Sequence, residues 1–153
     1  MLLVIKGVQQ LHGLGYVHRD LKPDNIVLNL SPLEVRVIDF DAVMLETQDT
    51  KGKVRGTPGY FPVRDDWRDG SKKWDVWSLA AILLEADMEK DEYIKTKDDK
   101  ETKCKLRKHL KYEDVCHHLR VIWEGTLQKK KKEEMITIDE IAKHLRRVKF
   151  RSY

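Results

Sequence analysis

The run His18-Arg19-Asp20-Leu21-Lys22-Pro23-Asp24-Asn25 places a carboxylate, an ammonium and a carboxamide on one short stretch of chain. Phosphoryl transfer asks for these groups. A carboxylate orients an attacking hydroxyl and accepts its proton, a cation stands near the moving phosphoryl group, and hard oxygen ligands hold Mg²⁺. Asp20, Lys22 and Asn25 match those three needs in order. A second carboxylate, Asp39, closes the apolar run Val35-Arg36-Val37-Ile38. That run reads as a short buried strand, and a carboxylate at a strand end reaches a phosphate-bound metal from rigid backbone.

These residues, in this order, resemble the protein kinase family, whose catalytic loop H-R-D-L-x-x-x-N precedes a metal-binding D-F-G segment. Gly56-Thr57-Pro58-Gly59-Tyr60 looks like the end of an activation segment, and Asp75-Val76-Trp77-Ser78-Leu79 like the start of the central helix of the lower lobe. The resemblance implies a role for each residue. Asp20 is the catalytic base, Lys22 steadies the γ-phosphoryl group of ATP, and Thr57 bridges the two. Asn25 and Asp39 hold Mg²⁺, and Val27 lies beneath the adenine ring. His18 packs on Phe40, and Asp75 holds the backbone of the catalytic loop. Arg19 grips a phosphorylated residue, with Thr47 and Thr50 as candidate acceptors, or else simply pairs with a carboxylate. The combination of L-K-P-D-N with G-T-P-G-Y resembles Ser/Thr rather than Tyr kinases.

Three positions depart from the family pattern. Asp41 stands where D-F-G has glycine, Arg64 where A-P-E has glutamate, and Met135 where that glutamate's arginine partner is expected. Losing one member of a buried ion pair strands a charge, whereas losing both is close to neutral. The two substitutions therefore read as one paired loss. No G-x-G-x-x-G and no V-A-I-K lysine precede the loop, so the upper lobe that clamps ATP is expected to be absent. The expected fold is mainly α (α+β): a C-terminal kinase lobe, helical with short strands around the catalytic loop, with residues 1–153 forming one domain. Two functions follow. One is a Ser/Thr kinase lobe acting on a protein substrate, its upper lobe encoded upstream or carried by a partner chain. The other is a catalytically inactive kinase-like interaction module, or a truncated product. These 153 residues alone are expected to show little or no transferase activity.

The rest of the chain must position that loop. Leu2 to Leu14 carries Val4, Val8 and Leu11 at helical spacing, and Gly13 and Gly15 end the helix just before the loop. Ile26-Val27-Leu28 and Val35 to Ile38 read as two strands about a Ser31-Pro32 turn. Met44 to Arg55 reads as a polar loop. From Asp75 a helix through Trp77, Leu79, Ile82 and Leu83 is apolar on all sides, which predicts burial. Glu89 to Lys103 lacks an apolar stripe and reads as a solvated loop or frayed helix. Val115, Leu119 and Ile122 mark another helix with Trp123 at its end. Thr137 with Glu140 predicts a capping box, Ile136 with Ile141 a staple, and Ile138, Ile141, Leu145 and Val148 one apolar face.

Composition narrows the class. With 41% hydrophobic and 37% charged residues, the chain supports a core under a highly charged surface. A net charge of +4 favours acidic partners only weakly. The lysine run 129–132 has no interleaved aromatics and reads as a linker rather than a nucleic-acid site. Val76 to Leu84, the longest uncharged apolar stretch, is too short to span a bilayer. Cys104 and Cys116 provide no disulfide framework, and with His109, His117 and His118 they match no paired zinc spacing. An intracellular protein, cytoplasmic or nuclear, is expected.

Overall fold

A computed structural model describes residues 1–48, 55–61, 70–88, 99–112, 115–129 and 134–148. In chain order these form α1 (Leu2–Gly13), β1 (Tyr16–Val17), a 3₁₀ turn (Pro23–Asn25), β2 (Ile26–Leu30), β3 (Leu33–Val37), β4 (Met44–Leu45), α2 (Lys73–Asp87), α3 (Asp99–Tyr112), α4 (His117–Glu124) and α5 (Ile138–Leu145). Helices dominate the described residues. The strands form two antiparallel pairs, β1 with β4 and β2 with β3.

Helix α2 is the centre of the core. Every residue from Trp74 to Leu84 is buried, so over these residues the helix has no solvent face and every side of it needs a neighbour. Val4, Ile5 and Val8 of α1, Leu106 of α3, Leu119, Ile122 and Trp123 of α4, and Ile141 and Leu145 of α5 join it in one cluster. The elements at its edge are set by local signals. Gly15, at φ +81°, takes a left-handed conformation that suits glycine and turns the chain from α1 into β1. At α5 the Thr137 hydroxyl accepts the Glu140 N–H, and the Glu140 carboxylate accepts the Thr137 N–H. Those bonds hold the Glu140 carboxyl below the ordinary range. Gly125, after α4, accepts the Ile136 N–H and leaves no room for a side chain, because a Cβ would meet Ile136 and the Val121 carbonyl.

Several sequence expectations change. The run ending at Ile38 is a strand, Leu33–Val37, but it is not buried: Leu33 and Arg36 are exposed, Val35 and Val37 half-buried, and Ile38 exposed. The hairpin has α1 on one side, and its other face is open. Met44–Leu45 lies in the segment read as a loop, yet it pairs with Tyr16–Val17, and Met44 is buried. Residues 89–98 lie outside the described residues, but the helix that follows begins at Asp99. Thr102, in the stretch read as solvated, is fully buried and donates to the Gly59 carbonyl. The apolar stripe that periodicity would show is carried by a threonine and by Leu106. Val148 lies beyond the end of α5 and packs against the core as a half-buried residue.

Candidate active site

The loop from His18 to Asn25 is held from below by the first turn of α2. Asp75 is completely buried. Its Oδ2 accepts the His18 N–H at 2.8 Å and its Oδ1 the Arg19 N–H at 2.9 Å. His12 Nε2, from the last turn of α1, lies 2.8 Å from Oδ2. A carboxylate only accepts, so His12 donates. Arg19 sits at φ +69°, a left-handed conformation that costs about 1–2 kcal/mol for a residue with a Cβ. Its N–H bonds Asp75, and its carbonyl accepts Trp74 Nε1–H at 3.0 Å. Two consecutive α2 residues thus hold both polar groups of the strained unit. Gly56 closes the same spot from the other side, where a Cβ would come 3.1 Å from the Arg19 carbonyl.

Above this base the predicted polar residues converge. The Thr57 hydroxyl donates to Asp20 Oδ1 at 2.8 Å and accepts from Lys22 Nζ at 3.0 Å. Lys22 Nζ also lies 3.3 Å from Asp20 Oδ2. Asn25 Nδ2 donates to the Asp20 carbonyl at 2.9 Å, which leaves Oδ1 as the atom of that amide able to bind a metal. The Ile38 N–H bonds the Asn25 carbonyl and brings the Asp39 segment beside the loop. Asp39 is exposed at φ +63°. Asn25 and Asp39 together present hard oxygen donors of the kind Mg²⁺ takes. His18 meets Phe40 with ring centroids 5.4 Å apart, and its Nε2 lies 3.2 Å from the Ile38 carbonyl. Asp20, Asp39, Asp41, Ala42, Arg55 and Gly56 line an open pocket of about 300 Å³.

The sequence model of the family described as Protein kinase domain matches residues 1–147. The chain belongs to the protein kinase family. Human calcium/calmodulin-dependent protein kinase type 1B is 40% identical over 83 residues, which are 52% of this chain and 24% of that protein. The serine/threonine-protein kinase pakA of Talaromyces marneffei is 33% identical over 84 residues, 53% of this chain and 13% of the relative. The serine/threonine-protein kinase nekl-2 of Caenorhabditis elegans is 34% identical over 84 residues, 54% and 24% respectively. The matched regions span about a quarter or less of the length of these relatives.

Within the kinase pattern, Arg19 is buried with its guanidinium over the Trp74 ring, 5.5 Å from the centroid, and against Met44 Sδ. Burial, and then the positive charge of Arg55, lower its pKa. Thr47 is exposed just beyond β4, whereas Thr50 lies outside the described residues. Val27 is 45% exposed on the open hairpin, and Phe40 is 55% exposed. Met135 is buried in the core, an apolar residue at the position expected for arginine; Arg64 lies outside the described residues. Lys73 instead donates to the Met135 and Ile136 carbonyls at 2.7 and 3.2 Å.

Sequence reading did not find His12, Trp74, Lys73 or Arg55. Trp74 and Lys73 directly precede the D-V-W-S-L motif, so their neighbourhood was legible but their partners were not. His12 sits on the buried face of α1, where an imidazole among valines signals a buried acceptor nearby.

Proposed function

We propose that this chain is the lower, C-terminal lobe of a Ser/Thr protein kinase, which transfers the γ-phosphoryl group of ATP to a protein hydroxyl. The observation that supports this most directly is the hydrogen-bond chain from Lys22 through Thr57 to Asp20. Thr57 donates to Asp20 Oδ1 and fixes the carboxylate plane; Oδ2, with Lys22 Nζ at 3.3 Å and Asn25 Nδ2 at 3.4 Å, is the oxygen that orients an acceptor hydroxyl and takes its proton. Lys22, next to Oδ2, carries the charge that steadies the phosphoryl group. Asn25 and Asp39 hold Mg²⁺, and Val27 supports the adenine. Mg·ATP, when bound, supplies the electrophilic phosphorus and the neutralising metal charge. His12, Trp74 and Asp75 keep the loop in its strained, preorganised form.

The clamp on the α- and β-phosphates comes, in this reading, from an upper lobe elsewhere in the protein or on a partner chain. An intracellular location accompanies it; no helix among the described residues is long and apolar enough to cross a membrane. A second reading, a non-catalytic interaction module, is favoured by Asp41 in the glycine position and by the exposed Phe40.

A Mg·ATP thermal-shift titration separates the two. A shift that disappears in Asp39→Asn supports nucleotide binding, and no shift supports the module. The 153-residue chain alone is expected to transfer little or no phosphate. ATP-dependent phosphorylation that is lost in Asp20→Ala would overturn that expectation.

A further inference from the structure

We infer that Arg55 is a phosphate-binding residue of this site, placed to contact the terminal phosphoryl group of a Mg²⁺-bound nucleoside triphosphate. The inference rests on the nucleotide reading above and adds a residue to which the resemblance gives no role.

Arg55 shares one pocket with Asp20, Asp39 and Asp41, yet it forms no ion pair with them or with any other described residue. Its hydrogen bond goes from Nη1 to the Asp41 carbonyl at 2.8 Å. A guanidinium has five N–H donors in a planar fork, so most of its donors remain for a ligand. A cation and three carboxylates around one space of about 300 Å³, without direct pairing, describe a site with two poles. A free anion is repelled by the carboxylates. A divalent cation is drawn to them, and a phosphate carried by that cation turns its outer oxygens toward the remaining positive pole. Asp20 lines the same space, so the phosphate that reaches Arg55 is the one facing the acceptor hydroxyl, the terminal one.

The positive charge of Arg55 already lowers the pKa of the buried Arg19, and an anion bound at Arg55 offsets that repulsion. Asp41 fits the same scheme. A residue with a side chain at the glycine position fixes the local backbone, and its carbonyl is the group that anchors the Arg55 guanidinium.

The test compares Mg·ATP with Mg·ADP by isothermal titration on the wild-type chain, Arg55→Gln and Arg55→Lys. The wild type is expected to bind Mg·ATP more tightly than Mg·ADP. Arg55→Gln is expected to lose about tenfold in Mg·ATP affinity with Mg·ADP affinity unchanged, and Arg55→Lys to retain part of the difference. Because Arg55 is exposed, the apo melting temperatures of the variants should match the wild type. An Arg55→Gln variant that keeps the wild-type preference for Mg·ATP overturns the inference alone. An equal loss for both nucleotides overturns the assignment to the terminal phosphate. A wild-type chain that binds neither nucleotide overturns the nucleotide reading, and this inference with it.

Discussion

Replacing Asp75 should cost more than any other single substitution among the polar residues described. The Asp75→Ala change removes one acceptor group and strands three donors: the backbone N–H groups of His18 and Arg19 and the imidazole of His12. Each buried donor left without a partner costs roughly 1–3 kcal/mol. The site is fully buried, so water does not replace the carboxylate without reorganising the core. Allowing for partial relaxation, the expected loss is about 3–6 kcal/mol. Set against a typical domain stability of roughly 5–15 kcal/mol, that leaves the chain near its unfolding threshold. Asp75→Asn is the informative companion. It keeps one oxygen, which satisfies one backbone N–H, but turns an NH₂ group toward another donor. Its loss should fall between wild type and alanine, at about 2–4 kcal/mol. Urea denaturation followed by far-UV circular dichroism measures both, with an unchanged m-value confirming a common unfolded state. An Asp75→Ala loss below about 1 kcal/mol, or an asparagine variant less stable than the alanine one, would refute the reasoning.

Three further outcomes are expected. Lys73→Met removes the donor to the Met135 and Ile136 carbonyls and should cost about 1–3 kcal/mol in urea denaturation, while Lys73→Arg should keep part of the tether. Gly125→Ala drives a Cβ to 2.7 Å from Ile136 Cγ2 and 2.9 Å from the Val121 carbonyl oxygen. The carbonyl belongs to α4 and does not yield easily, so a loss of about 1–3 kcal/mol is expected in the same assay. His144 has its pKa lowered by burial first and then by the charges of His118, Arg147, Lys143 and His117. A histidine with a depressed folded-state pKa takes up its proton more readily when unfolded. Its contribution is therefore intact above the unfolded value of about 6.5 and is lost as pH falls from there through the folded value. The melting temperature should fall over that window, and His144→Gln should flatten the slope.

How much of this was legible from residues alone depended on the range of the signal. The α1 boundary, the capping box of Thr137 and Glu140, and the wholly buried α2 were local patterns and appeared where expected. That Asp20, Lys22, Asn25 and Asp39 lie close together was legible because one short loop and one strand end carry them. The resemblance also implied that Asp75 holds the loop, but nothing pointed to His12 or Trp74. Asp75 is 56 residues from Arg19 along the chain, and His12 reaches it from another helix. Nothing in periodicity announces such contacts. The β1–β4 pair was missed for a related reason: two residues per strand leave no alternation to read, and the pairing depends on where α1 delivers the chain. Arg55 ended a segment read only as a polar loop. Only the pocket it shares with Asp20 and Asp39 distinguishes it.

Residues 72–78, at the start of α2, touch five separate stretches of chain, α1 among them through Asp75 and His12. Lys72 bonds Glu46 at 2.8 Å, Lys73 the segment before α5, Trp74 and Asp75 the loop after β1, and Ser78 donates to the Tyr60 carbonyl at 2.6 Å. The helix carrying these contacts is also the one whose residues from Trp74 to Leu84 are all buried, most of them within the main hydrophobic cluster. The loop from His18 to Asn25 therefore has no local reserve of order that outlasts the hydrophobic core. Loss of site geometry on heating and cooperative unfolding should follow one curve, and amide hydrogens of His18 and Arg19 should exchange as slowly as those in the middle of α2. A segment this short would ordinarily fray first; here it should be among the last backbone to open.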